Sequence, residues 1–167
     1  RPDRPCAGPR PVGRRPQLVR VLALDLGSRR IGVAVSDSEG RVATPVTVLE
    51  RHRDRPRLHR EIATLVTDYD AGLVLLGLPI DLAGREGPAA ANVLAERDEL
   101  AAVVGVPVEV HDERMTTRIA ERSLRERGDL DGRARRKVID MVAASVILQD
   151  WLDRQAAADA PPEEPHA

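Results

Sequence analysis

Apolar residues fall in short blocks whose spacing alternates between the strand and helix periods. Residues 18–26 are rich in Val and Leu and hold one acid, Asp25, the pattern of a strand buried in a sheet. Gly27-Ser28-Arg29-Arg30 makes a turn, residues 31–37 return as a second strand, and Glu39-Gly40 turns again into a third over 42–49. Residues 55–69 then place Leu58, Ile62, Leu65 and Val66 at helical spacing, and 73–78 form an unbroken apolar strand. An Ala-rich helix over 88–104 ends at Gly105, and 106–110 is a further strand. Thr116 or Thr117 caps a helix that Gly128 ends. The last helix begins near Asp131 and sets Val138, Met141, Val142, Ser145, Leu148 and Leu152 on one stripe.

The predicted order is βββαβαβαα. A meander followed by alternating strands and helices specifies an α/β fold, a five-stranded mixed sheet flanked by helices. This is an RNase H-like pattern; a plain Rossmann fold would alternate from its first strand. With 167 residues the chain suffices for one domain with a sizeable core. Eight of the 13 prolines lie within residues 1–20 or 161–165. The domain is therefore expected over 18–155, between a basic Pro-rich disordered tail, 1–17, and an acidic one, 156–167.

Composition narrows the function. Tyr69 and Trp151 are the only aromatic residues, which argues against a base-stacking platform for single strands. The net charge of −1 conceals segregation: 114–137 holds nine basic residues against four acidic ones, a pattern compatible with a polyanion-binding face. Cys6 stands alone, which excludes an intrachain disulfide and a Cys-based zinc site. Arg14-Arg15 before an apolar stretch faintly resembles a twin-arginine signal, but Arg20 and Asp25 interrupt it. No apolar run approaches the ~18 residues that span a bilayer, so a cytoplasmic protein without a membrane partner is expected.

Three carboxylates stand where structure alone gives little reason for them. Asp25 sits in the most apolar strand, just before Gly27. Leaving even a neutral polar group buried without a partner costs roughly 2–7 kcal/mol, and a cation would offset such a cost. Glu113 follows the strand over 106–110, at the edge where open α/β sheets place ligands. Asp140 lies in the last helix among Val138, Ile139, Met141 and Val142. Brought together, the three would give Mg²⁺ or Mn²⁺ its oxygen ligands and serve phosphodiester cleavage. The structural alternative has Asp25 capping its turn, Glu113 solvated and Asp140 paired with Arg136.

The segment from Asp25 to Asp37, DLGSRRIGVAVSD, resembles the opening motif of the YqgF/RuvX family of Holliday-junction-resolvase-like pre-16S rRNA nucleases. Gly77-Leu78-Pro79 with Gly84-Arg85-Glu86-Gly87-Pro88 resembles the second motif, Asp112 to Thr117 the third, and Ile139 to Ala144 the fourth. The motifs come in family order across residues 20–152. The resemblance implies an RNase H-like, metal-dependent nuclease acting on structured nucleic acid, in cells on the 5′ end of precursor 16S rRNA. It places Asp25, Glu113 and Asp140 on the family's acidic, metal-binding and catalytic positions. Two departures stand out: position 81 is Asp where the family commonly has Asn, and no acid follows Asp140 by three or four residues.

Arg29 and Arg30, in the turn beside Asp25, are the first candidates for phosphate contact. Arg114 and Arg118 open a row continued by Arg122 and Arg125, and Arg136 and Lys137 precede Asp140. A solvated helix face explains these rows equally well. The stretch from Arg51 to Arg60 reads as a basic loop, with His52 and His59 too far apart for a helical ligand pair. His111 is either a proton shuttle beside Glu113 or an ordinary strand-end histidine. Expected partners are precursor rRNA or branched DNA, with the chain a monomer or homodimer. Two other functions remain to be weighed: a Holliday-junction resolvase, and a non-catalytic nucleic-acid-binding regulator. Sugar-kinase-like phosphotransfer would need a second large lobe for which the chain has no room.

Overall fold

The structure, a computed structural model, describes residues 19–80, 84–112 and 132–159, with the backbone alone over 132–137. Five strands, β1 (Arg20–Leu26), β2 (Arg30–Ser36), β3 (Ala43–Glu50), β4 (Ala71–Leu78) and β5 (Val108–Asp112), form one sheet in the order β3-β2-β1-β4-β5. β2 runs antiparallel to both β1 and β3, whereas β1, β4 and β5 are mutually parallel. Helices α1 (Arg55–Asp68) and α2 (Pro88–Val104) cover one face, and α3 (Gly132–Asp159) covers the other. The five-stranded mixed sheet expected from the sequence is present.

Period-two alternation divides the core. Leu22 and Leu24 of β1, Ile31 and Val33 of β2 and Val74 and Leu76 of β4 pack toward α1 and α2, where Leu58, Ile62, Val93 and Leu100 meet them. Val21, Ala23, Ala34 and Leu75 face α3 and meet Ala144, Ile147, Leu148 and Leu152. Each fully buried Leu or Ile contributes about 1.5–3 kcal/mol through apolar surface removed from water, so aliphatic side chains suffice here.

Local chemistry sets the helix ends. Asp54 caps α1 by accepting from the Arg57 amide at 3.1 Å, with Pro56 in the first turn. Gly105 ends α2 in the left-handed conformation, φ 71°. The Gln149 side chain of α3 accepts from the Ala43 amide at 2.9 Å and donates to the Arg41 carbonyl at 2.9 Å. These bonds tie the helix to the outer strand β3.

Three expectations shift. β5 lies at Val108–Asp112 rather than 106–110. Val106 packs against the core without joining the ladder, so its apolar character marked burial and not pairing. α3 runs to Asp159, past the expected boundary at Gln155. Its buried stripe is Ala144, Ile147, Leu148 and Leu152, while Val138, Met141, Val142 and Ser145 are only half-buried. The reason is proximity: a Cβ on Gly32 would stand 2.0 Å from the Asp140 carbonyl oxygen and 3.4 Å from the Ala144 Cβ. Only small residues fit where the helix comes this close. The helix expected between Thr116 and Gly128 lies outside the described residues, as do both tails, except the helical end of the second.

Gly32→Ala is therefore expected to lower stability by about 3 kcal/mol or more, since a rigid backbone atom rather than a side-chain tip must move. Gly87→Ala, where an added Cβ meets nothing within 4 Å, should cost under about 1 kcal/mol despite its N-cap position. Thermal or urea unfolding of the two variants measures the difference.

Candidate active site

The alternation that sends Val21 and Ala23 toward α3 also sends Asp25 there, two residues further along β1. Asp25 stands opposite Gly32 in the β1–β2 ladder, and the α3 backbone at Asp140 lies on Gly32. A missing side chain on one strand thus brings a carboxylate of the neighbouring strand beside a carboxylate of the helix. Burial, and then the negative charge of Asp140, push the Asp25 carboxyl up from 3.8 to about 6. Among the described residues, no hydrogen bond or ion pair reaches it.

Asp140 is better compensated. Arg30 shares the α3 side of β2 with Gly32 and Ala34, and its Nε donates to Asp140 Oδ2 at 2.6 Å. The partner of Asp140 among the described residues is thus Arg30; the side chain of Arg136, the partner in the structural alternative, lies outside them. Arg29 is exposed on the turn after β1. Gly27 makes that turn tight: its amide donates to the Asp25 carbonyl at 3.0 Å, and an added Cβ would stand 2.6 Å from the Arg30 carbonyl oxygen. Beyond the end of β4, at the edge where β1 also ends, a cleft of about 510 Å³ is lined by Pro79, Ile80, Arg85, Glu86 and Gly87.

A profile described as "RuvX: Holliday junction resolvase" matches residues 19–154. A protein of Mycobacterium sp. (strain KMS), named "Putative pre-16S rRNA nuclease", is 46% identical over 164 residues, 98% of this chain and 93% of that protein. This chain belongs to the RuvX family. A protein of the same name from Chloroflexus aggregans (strain MD-66 / DSM 9485) is 46% identical over 133 residues, 80% of this chain and 92% of its own. Among solved structures, T. thermophilus RuvC in complex with Holliday junction substrate superposes with a TM-score of 0.52 at 16% identity, over 82% of this chain and 96% of that one. That likeness shows the RuvC-like, RNase H-like fold.

In this RuvX-family chain the structure joins two of the three expected acids. Glu113, Arg114 and Arg118 lie outside the described residues, and so do the side chains of Arg136 and Lys137. No cluster of three potential metal ligands occurs among the described residues. The pair that is described suits a hard cation. Two carboxylates repel one another, one is half-buried with no partner among the described residues, and oxygen donors of this kind are what Mg²⁺ and Mn²⁺ prefer.

Packing bears on two other expectations. His111, buried on β5, bonds through Nε2 to Asp150 Oδ2 at 2.6 Å, and Arg154 Nε meets the same oxygen at 3.0 Å. It anchors α3 to the sheet; Glu113, its partner in the proton-shuttle reading, lies outside the described residues. Most of the stretch expected as a basic loop lies in helix α1, which starts at Arg55 and carries His59 on its buried face. Sequence reasoning missed Gly32, whose importance comes from the α3 backbone above it rather than from its own chemistry.

The raised Asp25 carboxyl makes a stability prediction whose sign follows from linkage. Between 3.8 and about 6 the folded chain holds a proton that the unfolded chain has lost, so stability from this group falls as pH rises through that window. At pH 8 without divalent ions the ionised carboxylate costs on the order of 3 kcal/mol. Asp25→Asn is expected to recover about 1–3 kcal/mol of it at pH 8 and nothing near pH 4. Unfolding in EDTA across pH 4–8 measures the gain; a gain independent of pH contradicts it.

Proposed function

We propose that this chain is a metal-dependent nuclease that hydrolyses phosphodiester bonds in structured RNA, trimming the 5′ end of precursor 16S rRNA. The observation that carries this reading is the convergence of Asp25 and Asp140 over Gly32, in a RuvX-family chain whose relatives bear the pre-16S rRNA nuclease name. Asp25 and Asp140, with Glu113 directly after β5, would hold Mg²⁺ or Mn²⁺, whose chemistry there is to activate a water and neutralise charge on the scissile phosphate.

The chain's own residues do the remaining work. Asp25 is ionised above pH 6 and offers its carboxylate on the α3 side of the sheet. Arg30 fixes the orientation of the Asp140 carboxylate through its 2.6 Å bond. Arg29, exposed on the adjoining turn, meets a backbone phosphate. The cleft beyond β4 takes the strand leaving the scissile bond. Arg114, Arg118, Arg136 and Lys137 add phosphate contacts that make binding sequence-tolerant and salt-dependent.

A second substrate, branched DNA, is favoured by the Holliday junction resolvase description of the matched profile and by the RuvC-like fold. End-labelled precursor 16S rRNA and a four-way DNA junction, each with Mg²⁺, Mn²⁺ or EDTA, separate the two. Cleavage of the rRNA is expected with metal and absent in EDTA. Asp25→Asn and Asp140→Asn should each lower kcat on the order of 10³-fold, matching the several kcal/mol that a catalytic metal supplies. Preferential cutting of the junction would move the function to DNA recombination. Binding without cleavage under every metal condition would make the chain a nucleic-acid-binding regulator.

A further inference from the structure

The face of the sheet opposite α3 carries a buried charge that the proposed chemistry does not use. Glu96 occupies the apolar stripe of α2 with Ala90, Val93, Leu100 and Val104, and is 3% exposed. An acid in such a stripe persists only when its charge is matched. Arg51, just beyond β3, pairs with Glu96 Oε2. Arg55 Nη2 lies 3.7 Å from the same oxygen, and His59 Nε2 lies 3.7 Å from Oε1.

Arg51 differs from the other two in what else it touches. Its Nη1 donates to the Gly27 carbonyl at 3.3 Å, and its amide donates to the Arg29 carbonyl at 2.9 Å. Gly27 and Arg29 belong to the turn that joins Asp25 to Arg30. One guanidinium therefore bridges a rigid, buried carboxylate of α2 and the backbone of that turn. Arg55 also meets Glu99, at 3.2 Å, and makes no hydrogen bond to the turn. The planar fork of Arg51 can engage two partners from one fixed head group, which a lysine ammonium on its flexible stem reproduces only in part.

We propose that Arg51 is a positioning residue for the nuclease reaction, pinned by Glu96 and holding the Gly27–Arg29 turn so that Asp25 and Arg30 keep their places against Asp140. This rests on the nuclease reading for its kinetic consequence and stands apart from it in its structural one. Small displacements of a reacting group are costly, and a turn this tight has no other described side chain holding its carbonyls.

The test uses the full chain with Arg51→Ala, Arg51→Lys and Arg55→Ala, the last losing a contact to Glu96 without losing one to the turn. Backbone ¹⁵N order parameters of Gly27, Ser28 and Arg29 are expected to fall from about 0.85 to below about 0.6 in Arg51→Ala and to stay rigid in Arg55→Ala. On precursor 16S rRNA, kcat should fall about 10- to 100-fold in Arg51→Ala with KM within about twofold, recover partly in Arg51→Lys, and stay within about twofold in Arg55→Ala. A turn that remains rigid in Arg51→Ala overturns the proposal. So does a loosened turn whose kcat falls no further than that of Arg55→Ala. If Arg51→Ala does not fold, Arg51→Lys, which keeps a charge beside Glu96, carries the same comparison of order parameters and kcat. A wild-type chain that cuts no substrate overturns the nuclease reading, and the order parameters then decide the brace alone.

Discussion

The α3 backbone rests on Gly32 at a distance that no Cβ would permit, and the edge of the sheet is organised around that contact. β2 offers a bare backbone, the helix descends onto it, and the small side chain of Ala144 lets the next turn follow in van der Waals contact. Gly32 faces Asp25 across the β1–β2 ladder, so the helix arrives with Asp140 beside the one acid in β1. Two carboxylates that would repel one another in water are held together by a packing arrangement whose apolar remainder is buried elsewhere. Ile147, Leu148 and Leu152 supply that remainder against Val21, Ala23 and Leu75. Gln149 and the His111–Asp150 bond fasten the same helix at β3 and β5.

Among the described residues, the electrostatic consequence is two acids with one arginine between them. Arg30 serves Asp140, while Asp25 is left with burial and a like charge, and its carboxyl rises to about 6. Such an arrangement opposes stability when the chain is alone and favours any cation that enters. Natural sites tolerate this kind of local conflict when function depends on it. The opposite face shows the contrasting solution, where the buried Glu96 meets the guanidinium groups of Arg51 and Arg55 at one carboxylate oxygen.

Much of this was legible in the chain. Strand and helix periods give the order of the elements because each face of the sheet is closed by a helix, and burial leaves its mark at every second or every third to fourth residue. Asp25 and Asp140 were visible as acids inside apolar segments, and the DLGSRRIG stretch carried the family. What escaped depends on contacts between distant elements. Nothing near Gly32 announces that a helix more than a hundred residues later will lie on it. Arg51 is one arginine among many in a basic stretch, and only the β2–β3 register, which sets Arg30 opposite Glu50, brings it to the Gly27 turn. β5 begins two residues later than the apolar run suggests, because Val106 is apolar for packing and not for pairing. The α3 stripe holds at Leu148 and Leu152 but shifts toward its start, where the most intimate contact uses an alanine and an aspartate rather than the larger apolar residues nearby.

The most direct measurement is a carbon-13 NMR titration of the Asp25 side-chain carboxyl, first without divalent ions and then with saturating Mg²⁺. A midpoint near 6 that Mg²⁺ lowers by more than about one pH unit is expected if Asp25 is buried beside Asp140 in a cation site. A midpoint near the ordinary 3.8, indifferent to Mg²⁺, would contradict both the pairing of the two acids and the site built on it.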